Sequence, residues 1–234
     1  MRKLFGLLLL LLAVSSCEED TNMIIHTPQR IHLYPGEQKQ IEAESSQKIQ
    51  YSSLNDYYAS VDENGLVTAR YVGDTQVRLS TSAVKEFIQV SVIPRYTLYV
   101  EPYYEFPSTR YAVEKMYGEP YKEEDNCLVY ETLDVEASKY FYFCFDDEDN
   151  LLASVATITE GNEEELGKFL AERYVTVNQE EFIYRNMLEV TDETVEIRSF
   201  YSDKYGSRVV VYAPYGTDFD TFKTFAEPLK YCKK

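Results

Sequence analysis

A chain of 234 residues carries 40 acidic against 23 basic side chains, a formal net charge of −17, and 44% hydrophobic residues. That length can bury more than one core, and so negative a surface repels phosphate backbones, which excludes nucleic acid as a partner. Two histidines and four cysteines stand against 22 tyrosines and no tryptophan, so histidine-based catalysis and thiol-based metal binding have few residues to draw on.

Arg2 and Lys3 give a positive start, Leu4 to Leu12 an almost unbroken apolar run, and Ala13-Val14-Ser15-Ser16-Cys17 a small-residue segment ending in a thiol. The run is far shorter than the roughly 20 residues a helix needs to cross a bilayer, so it does not predict a permanent span. The pattern resembles the lipobox of bacterial lipoprotein signal peptides. That resemblance implies cleavage of residues 1–16 and an acylated Cys17, palmitate-bearing, as the first mature residue. Several acyl chains hold firmly, at about 0.8 kcal/mol per buried methylene. Losing Arg2 and Lys3 takes the formal charge from −17 to −19. The acidic run Glu18-Glu19-Asp20 resembles the export signal that sends some Gram-negative lipoproteins to the outer face of the outer membrane. Residues 17–27 are otherwise a solvated tether. The expected location is a lipid-anchored one at the outer membrane, at the cell surface, with the periplasmic face as the alternative.

From 28 to 94 the chain reads as short alternating strands with turn residues about every ten positions, the pattern of an all-β sandwich. Ile31 and Leu33 precede a turn at Pro35-Gly36; Ile41 and Ala43, Ile49 and Tyr51, Val77 and Leu79, then Ile88, Val90 and Val92 repeat the period of two. Asp62-Glu63-Asn64-Gly65 offers Asn-Gly where a hairpin needs positive φ. His26 and His32 lack a nearby third ligand and read as solvated or sheet-edge residues.

These residues resemble the bacterial Ig-like domain of group 2. The match runs through Tyr34-Pro35-Gly36-Glu37, Tyr51-Ser52-Ser53, Ala59-Ser60-Val61-Asp62-Glu63-Asn64-Gly65-Leu66-Val67-Thr68-Ala69, Gly73 and Val90-Ser91-Val92. Tyr51 stands where the family commonly has tryptophan. The resemblance implies a displayed spacer or adhesive module, and the sandwich does not reveal which.

Residues 95–234 predict a second domain, α+β, with an antiparallel sheet and helices on one face. The alternation of Tyr96, Leu98 and Val100 predicts a connecting strand. Ser108 is placed to cap a helix carrying Ala112, Val113, Met116 and Tyr117 and stopped by Gly118 and Pro120. Strands follow at Cys127 to Leu133, Lys139 to Phe145 and Leu151 to Ile158. Asn162 and Glu165 form a capping-box-like pair before a second helix with Leu166, Phe169 and Leu170 on one face. Three more strands are expected at Phe182 to Leu188, Thr194 to Tyr201 and Arg208 to Ala213, then a last helix near Thr217 to Leu229. A helix followed by three strands thus recurs at an offset of about 54 residues, a tandem duplication. The stretch Ser108 to Tyr130 resembles the repeat of the β-lactamase-inhibitor-like fold, which would imply protein binding through an exposed sheet face.

After Cys17, the cysteines Cys127, Cys144 and Cys232 allow at most one bridge. Cys127 and Cys144 occupy matching positions across a hairpin expected around Val135 and form the candidate pair, the alternative being buried free thiols. Asp146-Asp147-Glu148-Asp149-Asn150 reads as a solvated turn, since it lacks the glycine and distal glutamate of a calcium loop. No metal, no cofactor and no catalytic set is implied, and the chain is read as a non-enzyme. Tyr99, Tyr103 and Tyr104, in a tyrosine-rich entry to the second domain, are the candidate binding residues, with strand propensity as the competing explanation. The expected function is a surface-displayed binding or adhesion lipoprotein: an Ig-like stalk with an α+β reader of a glycan or protein. The alternatives are a periplasm-facing envelope assembly or inhibitor-like protein-binding lipoprotein and, third, a hydrolase.

Overall fold

The computed structural model of the protein describes residues 22–133 and 136–223. Nine short strands build the N-terminal sandwich: β1 (Met23–Ile25), β2 (Arg30–Leu33), β3 (Gln38–Gln40), β4 (Ala43–Ser45), β5 (Gln50–Ser53), β6 (Ala59–Val61), β7 (Leu66–Ala69), β8 (Gly73–Ser80) and β9 (Lys85–Val92). One sheet runs β2-β9-β8-β5, a second β3-β7-β6, and β1 pairs with β4. Alternation decides which side chains face inward: Ile31, Leu33, Val77, Leu79, Ile88, Val90 and Val92 meet Ile41, Val67 and Ala69 in one core. His32 stays exposed, and His26 Nε2 lies 3.4 Å from Glu44 Oε1 at the edge.

The turn after β6 shows why its residues are so specific. Asp62 Oδ1 accepts from the backbone N–H of Leu66 at 2.8 Å and of Asn64 at 2.9 Å, bonds that hold its carboxyl below the usual range. Within the turn only Gly65 has positive φ, at 84°; Asn64 keeps a negative one, contrary to the Asn-Gly expectation. A Cβ at Gly65 would sit 2.9 Å from the Tyr51 ring. Tyr51 therefore lies flat on a backbone that only glycine leaves bare. Gly65→Ala should cost about 2 kcal/mol in urea denaturation, from φ strain and ring displacement together. An unchanged midpoint would show that the ring yields freely.

The second module contains α1 (Arg110–Tyr117), β10 (Lys122–Glu124), β11 (Cys127–Glu131), β12 (Tyr140–Phe145), β13 (Leu151–Ile158), α2 (Glu163–Ala171), β14 (Val175–Asn178), β15 (Ile183–Arg185), β16 (Val195–Ser202), β17 (Ser207–Pro214) and a 3-10 turn at Phe219–Phe222. The eight strands form one antiparallel sheet in the order β10-β11-β12-β13-β17-β16-β15-β14. The order reads the same from either edge. Each half is a helix followed by four strands, and the halves meet at the β13–β17 pair.

Several sequence expectations change here. The repeat has four strands rather than three, because β10 (Lys-Glu-Glu) and β14 (Val-Thr-Val-Asn) are short, mostly exposed edge strands without a buried face to mark them. Residues 96–100 are not a strand; the segment is irregular and buries Leu98 and Tyr99 against the sheet. Thr109, not Ser108, caps α1, accepting from Ala112 N–H, while Ser108 Oγ meets the Tyr103 hydroxyl. Met116 points outward, leaving Val113 as the residue α1 buries. Asn162 precedes α2 without a side-chain capping bond. The last helix is a single 3-10 turn as far as Lys223, and residues 224–229 lie outside the described residues.

One sheet face packs through Leu128, Phe143, Ile158, Ile197 and Val210 on the connector and both helices, Phe169 of α2 among them. The other carries Ala153, Val155, Val209 and Val211, against which Phe219 and Phe222 pack. Cys127 and Cys144 sit directly opposite each other on β11 and β12, and their sulfurs are bonded. The acidic stretch after β12 is a turn held by Asp146 Oδ1, which accepts from Glu148 and Asn150 N–H.

Candidate functional site: the tyrosine cluster at the domain junction

The candidate tyrosines face inward. Tyr99 is 7% exposed, and Tyr103 and Tyr104 pack against the second module's core. They do not form an open platform. Their hydroxyls are engaged: Tyr99 Oη lies 2.6 Å from Tyr212 Oη, Tyr103 Oη 3.1 Å from Ser108 Oγ, and Tyr104 Oη 2.9 Å from Tyr174 Oη. The ring of Tyr104 stacks on Tyr212 with centroids 4.9 Å apart. The connector puts these rings here because its irregular backbone lets both Leu98 and Tyr99 turn toward the core, which a strand would forbid.

At the centre stands Glu101, which the sequence did not single out. Its Oε1 accepts from the Tyr174 hydroxyl and, at 3.0 Å, from the Tyr212 hydroxyl, and its Oε2 lies 3.5 Å from Arg173 Nε. The carboxylate and the hydroxyls of Tyr174, Tyr212, Tyr99 and Tyr104 thus form one connected hydrogen-bond network. Burial pushes the phenols of Tyr99, Tyr174 and Tyr212 well above their ordinary range and that of Tyr104 up to about 12. Burial also raises Glu101, against the lowering pull of the Tyr174 hydroxyl and Arg173.

The folded protein therefore holds the Glu101 proton more tightly than the unfolded chain. The contribution of Glu101 to stability falls as pH rises from its ordinary 4.5 toward the folded-state value, and returns on acidification. Asp62, Asp146, Glu164 and Asp220 are lowered and slope the other way, so the readout is a difference. Glu101→Gln should remove the falling component from urea-derived stabilities taken at about pH 4 to 7. Parallel curves for the two proteins would refute this assignment.

The cluster reaches the Ig-like module. Tyr57 Oη donates to the Arg173 carbonyl at 2.6 Å, and its ring stacks on Tyr71 at 4.7 Å. Next to it, Val72 N–H donates to the Glu172 carbonyl at 2.8 Å. Glu172, 8% exposed at the end of α2, accepts from the backbone N–H of Arg95 at 2.9 Å and of Tyr96 at 3.0 Å through Oε2. Arg95 reaches back to the Pro35 carbonyl at 2.7 Å and over the Tyr34 ring at 4.9 Å. The arrangement is a brace between two cores. Its chemistry is positional, with each buried charge matched by donors or by a counter-charge.

Of the other candidate positions, Cys17, Glu18, Glu19, Asp20 and Cys232 lie outside the described residues. Sequence reasoning missed Glu101, Glu172 and Arg173. A carboxylate amid seven tyrosines from 96 to 121 was the available signal for Glu101. Nothing local distinguishes Glu172 from other helix-end glutamates. Among the described residues the exposed tyrosines lie elsewhere, at Tyr34, Tyr111, Tyr121, Tyr201 and Tyr215. Among the described residues no group of histidine, cysteine and carboxylate side chains is placed to hold a metal, and no helix is long and apolar enough to cross a membrane.

Comparison with known proteins adds a family for one module. No curated protein matches the chain. Among solved structures, an intimin mutant of EHEC O157:H7 aligns at 18% identity over 50% of this chain and 75% of its own, with a TM-score of 0.24. Domains 4–9 of the surface layer protein SbsC align at 10% identity over 83% of this chain and 27% of theirs, with a TM-score of 0.29. The C-terminal domain of TagH aligns at 14% identity over 72% and 98%, with a TM-score of 0.25. TM-scores so low do not establish a common arrangement. The model of the bacterial Ig-like domain (group 2) matches residues 33–86, the stretch that contains the Asp62 turn and the Tyr51 to Gly65 contact. Those residues are thus a bacterial Ig-like domain of group 2, the first of two modules in this chain.

Proposed function

We propose that the chain is a cell-surface binding or adhesion protein, non-catalytic, in which the Ig-like domain (28–94) is a stalk and the α+β module (95–234) reads a glycan or protein ligand. The observation that carries this reading is the brace: Glu172, Arg173 and Tyr57 fix the second module on the first, as a stalk that must present a reader at a set angle requires. In this reading Cys17 carries the lipid anchor in the outer membrane and Glu18-Glu19-Asp20 directs display. Cys17→Ala should release the protein from the membrane fraction. Protease shaving of whole cells should degrade the wild type, and survival of the intact chain would overturn surface display. Glycan arrays and host-protein pull-downs test the reader; clean negatives in both would overturn binding.

A second reading has one observation in its favour. The eight-stranded sheet with two helices on one face suits an inhibitor-like or assembly protein that binds protein across its sheet. It predicts a periplasm-facing chain that survives shaving.

A further inference from the structure

Away from the junction, on the sheet face opposite the helices, the β16–β17 turn curls over the β10–β11 hairpin. Tyr205 from that turn packs on Tyr142 of β12 with ring centroids 4.6 Å apart, and Lys204 Nζ reaches Asp125 Oδ2 at 3.6 Å. Between the two hairpins lies a pocket of about 200 Å³. Its walls are Lys122 with Glu124, ion-paired to each other, and Lys204 with Asp125; its aromatic side is Tyr142 and Tyr205, and Cys127 of the disulfide lines it as well.

Three features define what fits. Two lysines and two carboxylates cancel, so the walls select neither an anion nor a cation, and a chain of net charge −17 further disfavours polyanions. The ion-paired groups still have unused capacity, since each ammonium carries three donors and each carboxylate about four acceptor sites, so the pocket suits a ligand whose groups both donate and accept. The tyrosine rings and the disulfide sulfur offer an apolar side for C–H groups. A further observation comes from Tyr205, whose hydroxyl is enclosed at this wall with no hydrogen-bond partner, an arrangement that costs stability unless a partner arrives.

We propose that this pocket binds a neutral sugar residue, its hydroxyls meeting Lys122, Glu124, Asp125 and Lys204 and its C–H face resting on the tyrosines. The proposal rests on the reading of the second module as a ligand reader, and it adds the place and the ligand class.

The full chain in phosphatidylcholine nanodiscs is applied to an array of neutral and sialylated glycans, alongside pull-downs with host proteins. The expected result is binding to a glycan with a neutral terminal residue, weakened about tenfold or more in Lys204→Ala and in Lys122→Ala, the loss of one or two hydrogen bonds. Thermal melts of both variants should match the wild type. Independently of any variant, the bound glycan should show transferred NOEs to the Tyr142 and Tyr205 ring protons. Glycan binding that both substitutions leave unchanged, or that shows no such NOEs, overturns the pocket and leaves the reader intact. Binding to sialylated glycans alone, or to a protein and no glycan, also overturns the pocket while the reader stands. Silence in both assays removes the pocket and the reader together.

Discussion

Glu172→Ala is expected to lower stability by about 3 kcal/mol and to split one thermal transition into two. Two backbone donors, Arg95 N–H and Tyr96 N–H, depend on the carboxylate it removes, and each part-buried donor left unpaired costs about 1–3 kcal/mol. The Arg95 ion pair adds little, since it spans 4.0 Å and the Arg95 side chain is 42% exposed. What the substitution removes above all is the anchoring of the connector to the end of α2. The bonds from Val72 and Tyr57 survive, because they end on backbone carbonyls, but they hold only the loop side of the joint. Calorimetry should therefore resolve the sandwich from the larger module, and small-angle scattering should show a broader distance distribution. Glu172→Gln keeps an acceptor and should cost about 1 kcal/mol. A single unshifted transition in the alanine variant would mean that the brace is not what couples the modules.

The second large effect concerns the disulfide. Cys127 and Cys144 close a loop with a sequence separation of 17, for which unfolded-chain entropy alone predicts about 3 kcal/mol. Joint replacement of both cysteines by alanine, or reduction, should move the urea midpoint of the second module accordingly and lower its melting temperature by about 10 °C. The sandwich has its own core and should be unaffected. Intact mass should rise by two hydrogen atoms on reduction. Reduced and oxidised proteins with the same midpoint would sink the expectation.

Residues that alternate against a single core were legible in the sequence. Ile31 with Leu33 and Ile88 through Val92 could be assigned because one face of each strand is apolar and the other is not. Asp62 to Gly65 was legible because its turn is held by its own side chain, a local cause with a local signature. Long strands of the second module, such as Leu151–Ile158, announced themselves by continuous burial on both faces. β10 was not legible, since Lys122-Glu123-Glu124 pairs only through backbone to β11 and buries nothing. The inward turn of Tyr99, Tyr103 and Tyr104 was also hidden. Tyrosine serves equally as a wet contact and as a core ring with a tethered hydroxyl, and which applies depends on Glu101, Tyr174 and Tyr212 arriving from three separate parts of the chain. The brace was the least visible, because Glu172 and its partners at 95 and 96 are 76 or more residues apart.

The palindromic strand order sets how this sheet can assemble. Every strand pair within a half joins neighbours in sequence, whereas β13 and β17 join positions 50 to 58 residues apart (158 with 208, 154 with 212). Each half can therefore form early from local contacts, and the seam is the slow, high-entropy step. Destabilising the Val155 and Val211 pair at that seam should slow refolding, while equal damage at the β10 or β14 edge should mainly speed unfolding.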